Sequence, residues 1–479
     1  MASAFGASTL IQGGEVVDPH NRVNGVMDLL LDGGRVAEVG PELRVPNGAQ
    51  VIDAAGLLVL PGLVDTHAHV GSPYWPGHAM MARAGVTTAL NLSGRAADVL
   101  EGIARAGAGL TIASLDSPAP GNGFSSEAPP ADEIGQVLDR VLDGGALGVK
   151  VLGGHYPCTP EATAAIFRAA TERRAYAAFH VGSTATGSDL EGLREAEVLA
   201  EGRPLHIAHV NSYCRGLILD PIAEALEAID ILTRSPNLRS ESYLARINGT
   251  SGRCVDGRVA SGTAVNCLKM GKYDVSEDGM GRAIRDGYAL VNDGRGDENV
   301  LLQGEPAYDL WREMGTNVSI SFAVNDPTSQ FILANARRPG GAFAVDALST
   351  DGGGIPRNVT IELGLALVAL GGLSLPDFVR KACLAPARML GLMDKGHLGV
   401  GADADVVLVD PIHRRVRSTF VAGAPICIDG VVVGTRGTVV TTRRGERAVR
   451  AFGLPTLVID PETMGLHAPD AVAAVFATM

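Results

Sequence analysis

Aromatic side chains make up only 4% of this 479-residue chain, and 40 Lys and Arg are outnumbered by 53 Asp and Glu, a formal net charge of −13. Few aromatics leave little to stack on unpaired bases, and a deficit of basic residues argues against nucleic acid or an anionic membrane as the main partner. No run of about 18 apolar residues is present that would span a bilayer. The opening "MASAFGASTLIQGG" lacks the charged and apolar segments of a secretory signal. A cytoplasmic protein with a small-molecule substrate is expected. The six cysteines (Cys158, Cys214, Cys254, Cys267, Cys383 and Cys427) are scattered, without CxxC or a Cys/His zinc spacing, and read as reduced structural thiols.

What the chain does have is a globular balance, 46% hydrophobic and 19% charged, and 61 glycines, which imply many tight turns. Its length predicts one large domain with an accessory domain. Residues 1–58 read as short strands broken by Gly-Gly, Asp-Gly and Pro, and the same grain returns in 396–479. Both ends are expected to build one small β-sandwich domain.

Between them, 59–395 alternates apolar strand-like runs with helical patterns, the signature of a parallel sheet. Eight candidate strands are "LLVLPGLVDTHAH", "VTTALNLSG", "LTIASLDS", "GALGVKVLGG", "AYAAFHVGS", "LHIAHVNS", "NVSISFAVND" and "AFAVDALSTDGG". The fold class expected is α/β, a (β/α)8 TIM barrel. An insertion at about 220–315, between the sixth and seventh candidates, is too long for a plain connection and is expected to cover the barrel mouth.

Polar residues collect at the C-terminal ends of these strands, the face on which barrel active sites are built. His67 and His69 end the first, Lys150 the fourth, His180 the fifth, His209 the sixth and Asp351 the eighth. Residues two apart on a strand point the same way, so His67 and His69 can reach one ion. A single buried histidine is more often a satisfied core residue. Four histidines with an acid, each at a strand end, point to a divalent metal such as zinc. His206, three before His209, cannot share its strand face.

These pieces, "PGLVDTHAH", "GVTTALNLSG", "GALGVK", "HVGS", "HVNS", "STDGGG" and the late "GVGADADVVLVD", resemble the amidohydrolase superfamily over residues 8 to about 445. The flanking text is similar to the N-acyl-D-amino-acid deacylase branch, but Asn91 and Ser93 stand where that branch often has a bridging cysteine. Lys150 is similar to the lysine of the dihydroorotase and hydantoinase branch, which is carboxylated. The resemblance implies two divalent ions, with zinc expected, held by His67, His69, carboxylated Lys150, His180, His209 and Asp351. A plain lysine salt-bridged to a loop carboxylate is the alternative for Lys150.

The activity implied is hydrolysis of a C–N bond in an amide, cyclic amide or N-acyl amino acid by metal-bound hydroxide, with Asp351 as proton shuttle. His155 stands where related hydantoinases have a tyrosine, and a catalytic role is expected for it; Tyr156 beside it is a substrate-binding candidate. Arg95, Tyr213 and Arg215, in loops beyond strand ends, are candidates to hold a substrate carboxylate, with an ordinary surface role as the alternative. Two other readings stay open: a cyclic amidine deaminase, against which "HVGSTATGSDLE" offers no acid close to His180, and a catalytically silent scaffold, against which stands the complete ligand set. A homo-oligomer is expected.

Overall fold

The computed structural model describes residues 8–477. Its centre is a set of parallel strands: Leu63–His69, Val86–Asn91, Ala108–Asp116, Gly148–Leu152, Tyr176–His180, Leu205–Ile207 and Leu238–Tyr243, here called strands one to seven. Each pairs with the next. An eighth segment closes the ring, because Ala347–Ser349 pairs with strand seven and Gly352–Gly353 with strand one. Helices follow the strands: Ala131–Asp143 leads to strand four, Pro160–Glu172 to strand five and Leu190–Ala200 to strand six. Their apolar stripes pack on the outer faces of these strands around Val149, Phe179 and Ile207.

Strand seven is not the one expected. The run "NVSISFAVND" forms Ser319–Phe322 in a separate four-stranded sheet, with Thr250–Ser251, Ala289–Arg295 and Glu298–Leu302. The true strand is "LRSESY", whose polar residues hide it from a hydropathy reading. Its charges are buried because they are partnered: Arg239 lies 3.5 Å from Asp346, whose carboxylate also accepts the Ser240 N–H at 2.9 Å. The insertion therefore falls between strands seven and eight, not six and seven. It has a core of its own around Leu268, Met280, Ile284, Trp311 and Phe322.

The sequence predicts a sandwich from the two chain ends; the hydrogen bonds draw one nine-stranded sheet. Its two halves join where Leu58–Pro61 runs antiparallel to Val406–Asp410. The later part of 396–479 departs from that sheet. Arg436–Thr442 pairs in parallel with strand three, and Thr456–Ile459 pairs with it in turn. Strands three and four touch only at Leu115 and Asp116, so the two late strands take the edge that strand three leaves free lower down. Unpaired strand edges are costly, and the β-branched run "TVVTT" suits this one.

Candidate metal centre and active site

The C-terminal strand ends converge as the spacing demands. His67 and His69 leave strand one on the same face, and Nε2 of each approaches Oδ1 of Asp351, at 3.1 Å and 2.8 Å. The Lys150 amine lies 3.2 Å from His67 Nε2. His209 stacks on His67 with ring centroids 5.0 Å apart, and His180 meets His209 edge-on at 4.4 Å. His67, His209 and Asp351 each offer a ligand atom within 4.8 Å of the others'. The His180 Nε2 is 2.7 Å from the Ser188 hydroxyl, which leaves Nδ1 as the nitrogen that could hold an ion. Gly154 makes this placement possible, since a Cβ there would lie 2.2 Å from His180 Nε2.

Two members of the cluster hold left-handed backbone, His209 with φ +35° and Asp351 with φ +47°. Such a conformation costs a non-glycine residue on the order of 1–3 kcal/mol and persists only where its surroundings impose it. Here they do: the His209 N–H donates to Glu241 Oε1 at 2.6 Å, and Arg357 donates to the Asp351 carbonyl and, at 2.7 Å, to its carboxylate.

Burial sets the charges. It holds His67, His180 and His209 well below the usual histidine range, so they are neutral with lone pairs to offer. Burial alone would raise the Asp351 carboxyl, but the Arg357 guanidinium beside it outweighs burial and holds it well below the usual range. The Lys150 amine is pulled down to about 8 by burial. His155, likewise neutral, is lowered to about 4 by burial and then by Lys150.

A cavity of about 180 Å³ opens above the cluster. It is lined by His155, Tyr156 and Arg215 among the expected residues, and by Tyr74, Tyr243 and Ser251 among those not anticipated. His155 Nδ1 lies 3.3 Å from the Ser261 hydroxyl of the insertion, and its ring is 4.6 Å from that of His180. Arg215 donates to Asn325 at 2.8 Å and to Ser212 at 3.0 Å; among the described residues no carboxylate pairs with it. Two substrate-binding candidates lie elsewhere. Arg95 is turned outward into an ion pair with Asp98 at 2.9 Å, and the Tyr213 hydroxyl is buried where it accepts the Val181 N–H at 3.1 Å.

Two residues are not legible in the sequence. Glu241 lies on the unexpected strand "LRSESY", and Arg357 sits six past Asp351 in a loop whose text carries no periodicity. His206 is buried within the barrel, its Nδ1 3.1 Å from the Tyr176 hydroxyl. Asn91, where a bridging cysteine was looked for, accepts the Val70 N–H at 2.9 Å and so holds the backbone just past His69.

Two amidohydrolase family models match the chain, over residues 50–119 and 305–440, the segments that carry His67, His69 and Asp351. Over these segments the chain is similar to the amidohydrolase family. A curated dihydroorotase of Geobacter metallireducens is 25% identical to this chain over 445 residues, covering 84% of the chain and 89% of the relative. Among solved structures, a D-aminoacylase superposes with TM-score 0.64 at 20% identity, covering 90% of this chain and 99% of that one. An N-acyl-D-glutamate deacylase from Bordetella bronchiseptica, crystallised with zinc and a phosphonate inhibitor, gives TM-score 0.63 at 17% identity over 90% and 98%. These likenesses are ones of fold, and they fit a TIM barrel.

Proposed function

We propose that this chain is a metal-dependent hydrolase of a cyclic amide or N-acyl amino acid that bears a carboxylate. The observation that carries the reading is the contact between His67 Nε2 and Asp351 Oδ1 at 3.1 Å. His67 Nδ1 already faces a carboxylate, so a neutral ring presents a lone pair to Asp351, and two lone-pair atoms at that distance call for a cation. The donor set, imidazole nitrogens with carboxylate oxygen, suits zinc or a similar divalent ion. The zinc in the Bordetella bronchiseptica deacylase points the same way.

His67, His69 and Asp351 would hold one ion, His180 and His209 a second, with carboxylated Lys150 between them. Bound divalent ions would bring a water's pKa down towards about 7 and polarise the substrate carbonyl. Asp351, held ionised by Arg357, takes the proton from the attacking water and delivers it to the leaving nitrogen. His155, neutral and fixed through Nδ1 by Ser261, turns Nε2 towards the cavity as a donor to the carbonyl oxygen. Arg215, with no acid of its own, receives the substrate carboxylate, and Tyr156 flanks it at the rim.

A panel of N-acyl amino acids, hydantoins, dihydropyrimidines and dipeptides, each with its carboxylate-free counterpart where one exists, tests the reading. One carboxylate-bearing class should be cleaved, with one water consumed per bond: an acyclic substrate splits into amine and acid, and a cyclic one opens to a single product carrying the new nitrogen and carboxyl ends. Asp351→Asn should lower kcat by about 100- to 10,000-fold with the fold intact. An enzyme that deaminates cyclic amidines and leaves every amide uncut would contradict it.

A further inference from the structure

Glu241 belongs to none of the expected ligands, yet every strand that carries the first ion's residues is tied to it. Its Oε1 lies 2.7 Å from His67 Nδ1 on strand one and accepts the His209 N–H just past strand six at 2.6 Å. Its Oε2 accepts the Ser349 hydroxyl of the eighth segment, two residues before Asp351. The carboxylate is completely buried. The group whose ligand atoms lie within 4.8 Å of one another is His67, His209 and Asp351, without Glu241.

We propose that Glu241 is a positioning residue that fixes the tautomer and aim of His67 and thereby sets the affinity of the metal centre. Because Oε1 already accepts a peptide N–H, it meets Nδ1 as a second acceptor, and the His67 proton is held on Nδ1. The lone pair is then on Nε2, the nitrogen that faces Asp351 and Lys150. An imidazole that hands its far N–H to a carboxylate is also a more basic ligand. The same oxygen, by gripping the His209 peptide, holds that residue in its left-handed turn, so one side chain orders two candidate ligands from two different strands.

This inference rests on the metal-centre reading, and the test separates the two. Zinc affinity is measured by competition with a chelator, and the cobalt-substituted absorption spectrum recorded, for the wild-type protein, Glu241→Gln and Glu241→Ala at matched thermal stability. The wild type should bind tightly. Glu241→Ala should bind about 10- to 100-fold more weakly with an altered cobalt spectrum. Glu241→Gln, whose amide oxygen can still accept from Nδ1, should fall between them. A wild type that binds no metal would remove the metal-centre reading itself. A wild type that binds, with both variants binding equally well and giving the same spectrum, would overturn the role of Glu241 alone. Should Glu241→Ala fail to fold, Glu241→Gln decides, and unchanged affinity there overturns the proposal.

Discussion

Lys150 is the side chain on which the number of ions turns. A buried amine lowered to about 8 is partly neutral near physiological pH, the form that adds CO2. The product is an anionic, carboxylate-like group able to meet two cations, whereas an ammonium in the same place repels them. Lys150→Ala should therefore lose bound metal and activity together, and short carboxylic acids with bicarbonate should restore part of both. A variant that keeps its full metal content and rate would make Lys150 an ordinary buried cation. At this scale the sequence was legible wherever spacing encodes direction: His67 and His69 two apart on a strand, Lys150 closing an apolar run. It was illegible for Glu241 and Arg357, whose roles depend on partners more than a hundred residues away or on a loop's path.

Among the elements, strand seven is the instructive one. A strand buried on every face is expected to read as Val, Ile and Leu, but "LRSESY" is buried throughout with Arg, Ser and Glu because its charged groups, Arg239 and Glu241, find partners inside the barrel. Hydropathy instead selects "NVSISFAVND", a genuine strand of the wrong sheet. That exchange places the insertion one connection too early; Asn248, Thr250, Ser251 and Thr263 from it line the cavity. Asn248 is committed to the insertion's own frame, accepting the Phe322 N–H at 2.9 Å. Ser251, partly exposed and facing the cavity, is the better probe of selectivity. Ser251→Val should shift the ratio of kcat/KM between two competing substrates by several-fold with metal content unchanged, measured by competition and elemental analysis. An unaltered ratio with every substrate pair would take the insertion out of substrate selection.

Across the whole molecule, the site sits where three bodies meet without any of them being sufficient. The chain passes from the nine-stranded sheet at Leu58–Pro61 straight into strand one, so the two-histidine strand is anchored from below by both chain ends. The barrel supplies the candidate ligands at its C-terminal face, and the insertion roofs the cavity. No helix among the described residues is long and apolar enough to cross a membrane. The barrel's late strands, Arg436–Thr442 and Thr456–Ile459, could not be placed from sequence because β-branched runs look alike in any sheet, and only the free edge of strand three decides where they lie. Every role proposed for the site depends on the metal. The direct measurement is the metal content of the purified protein, followed by chelation and stepwise return of zinc with turnover of a cleaved amide recorded at each step. Close to two ions per chain, activity lost on stripping and restored on return, is the predicted result; full turnover by metal-free protein would contradict it.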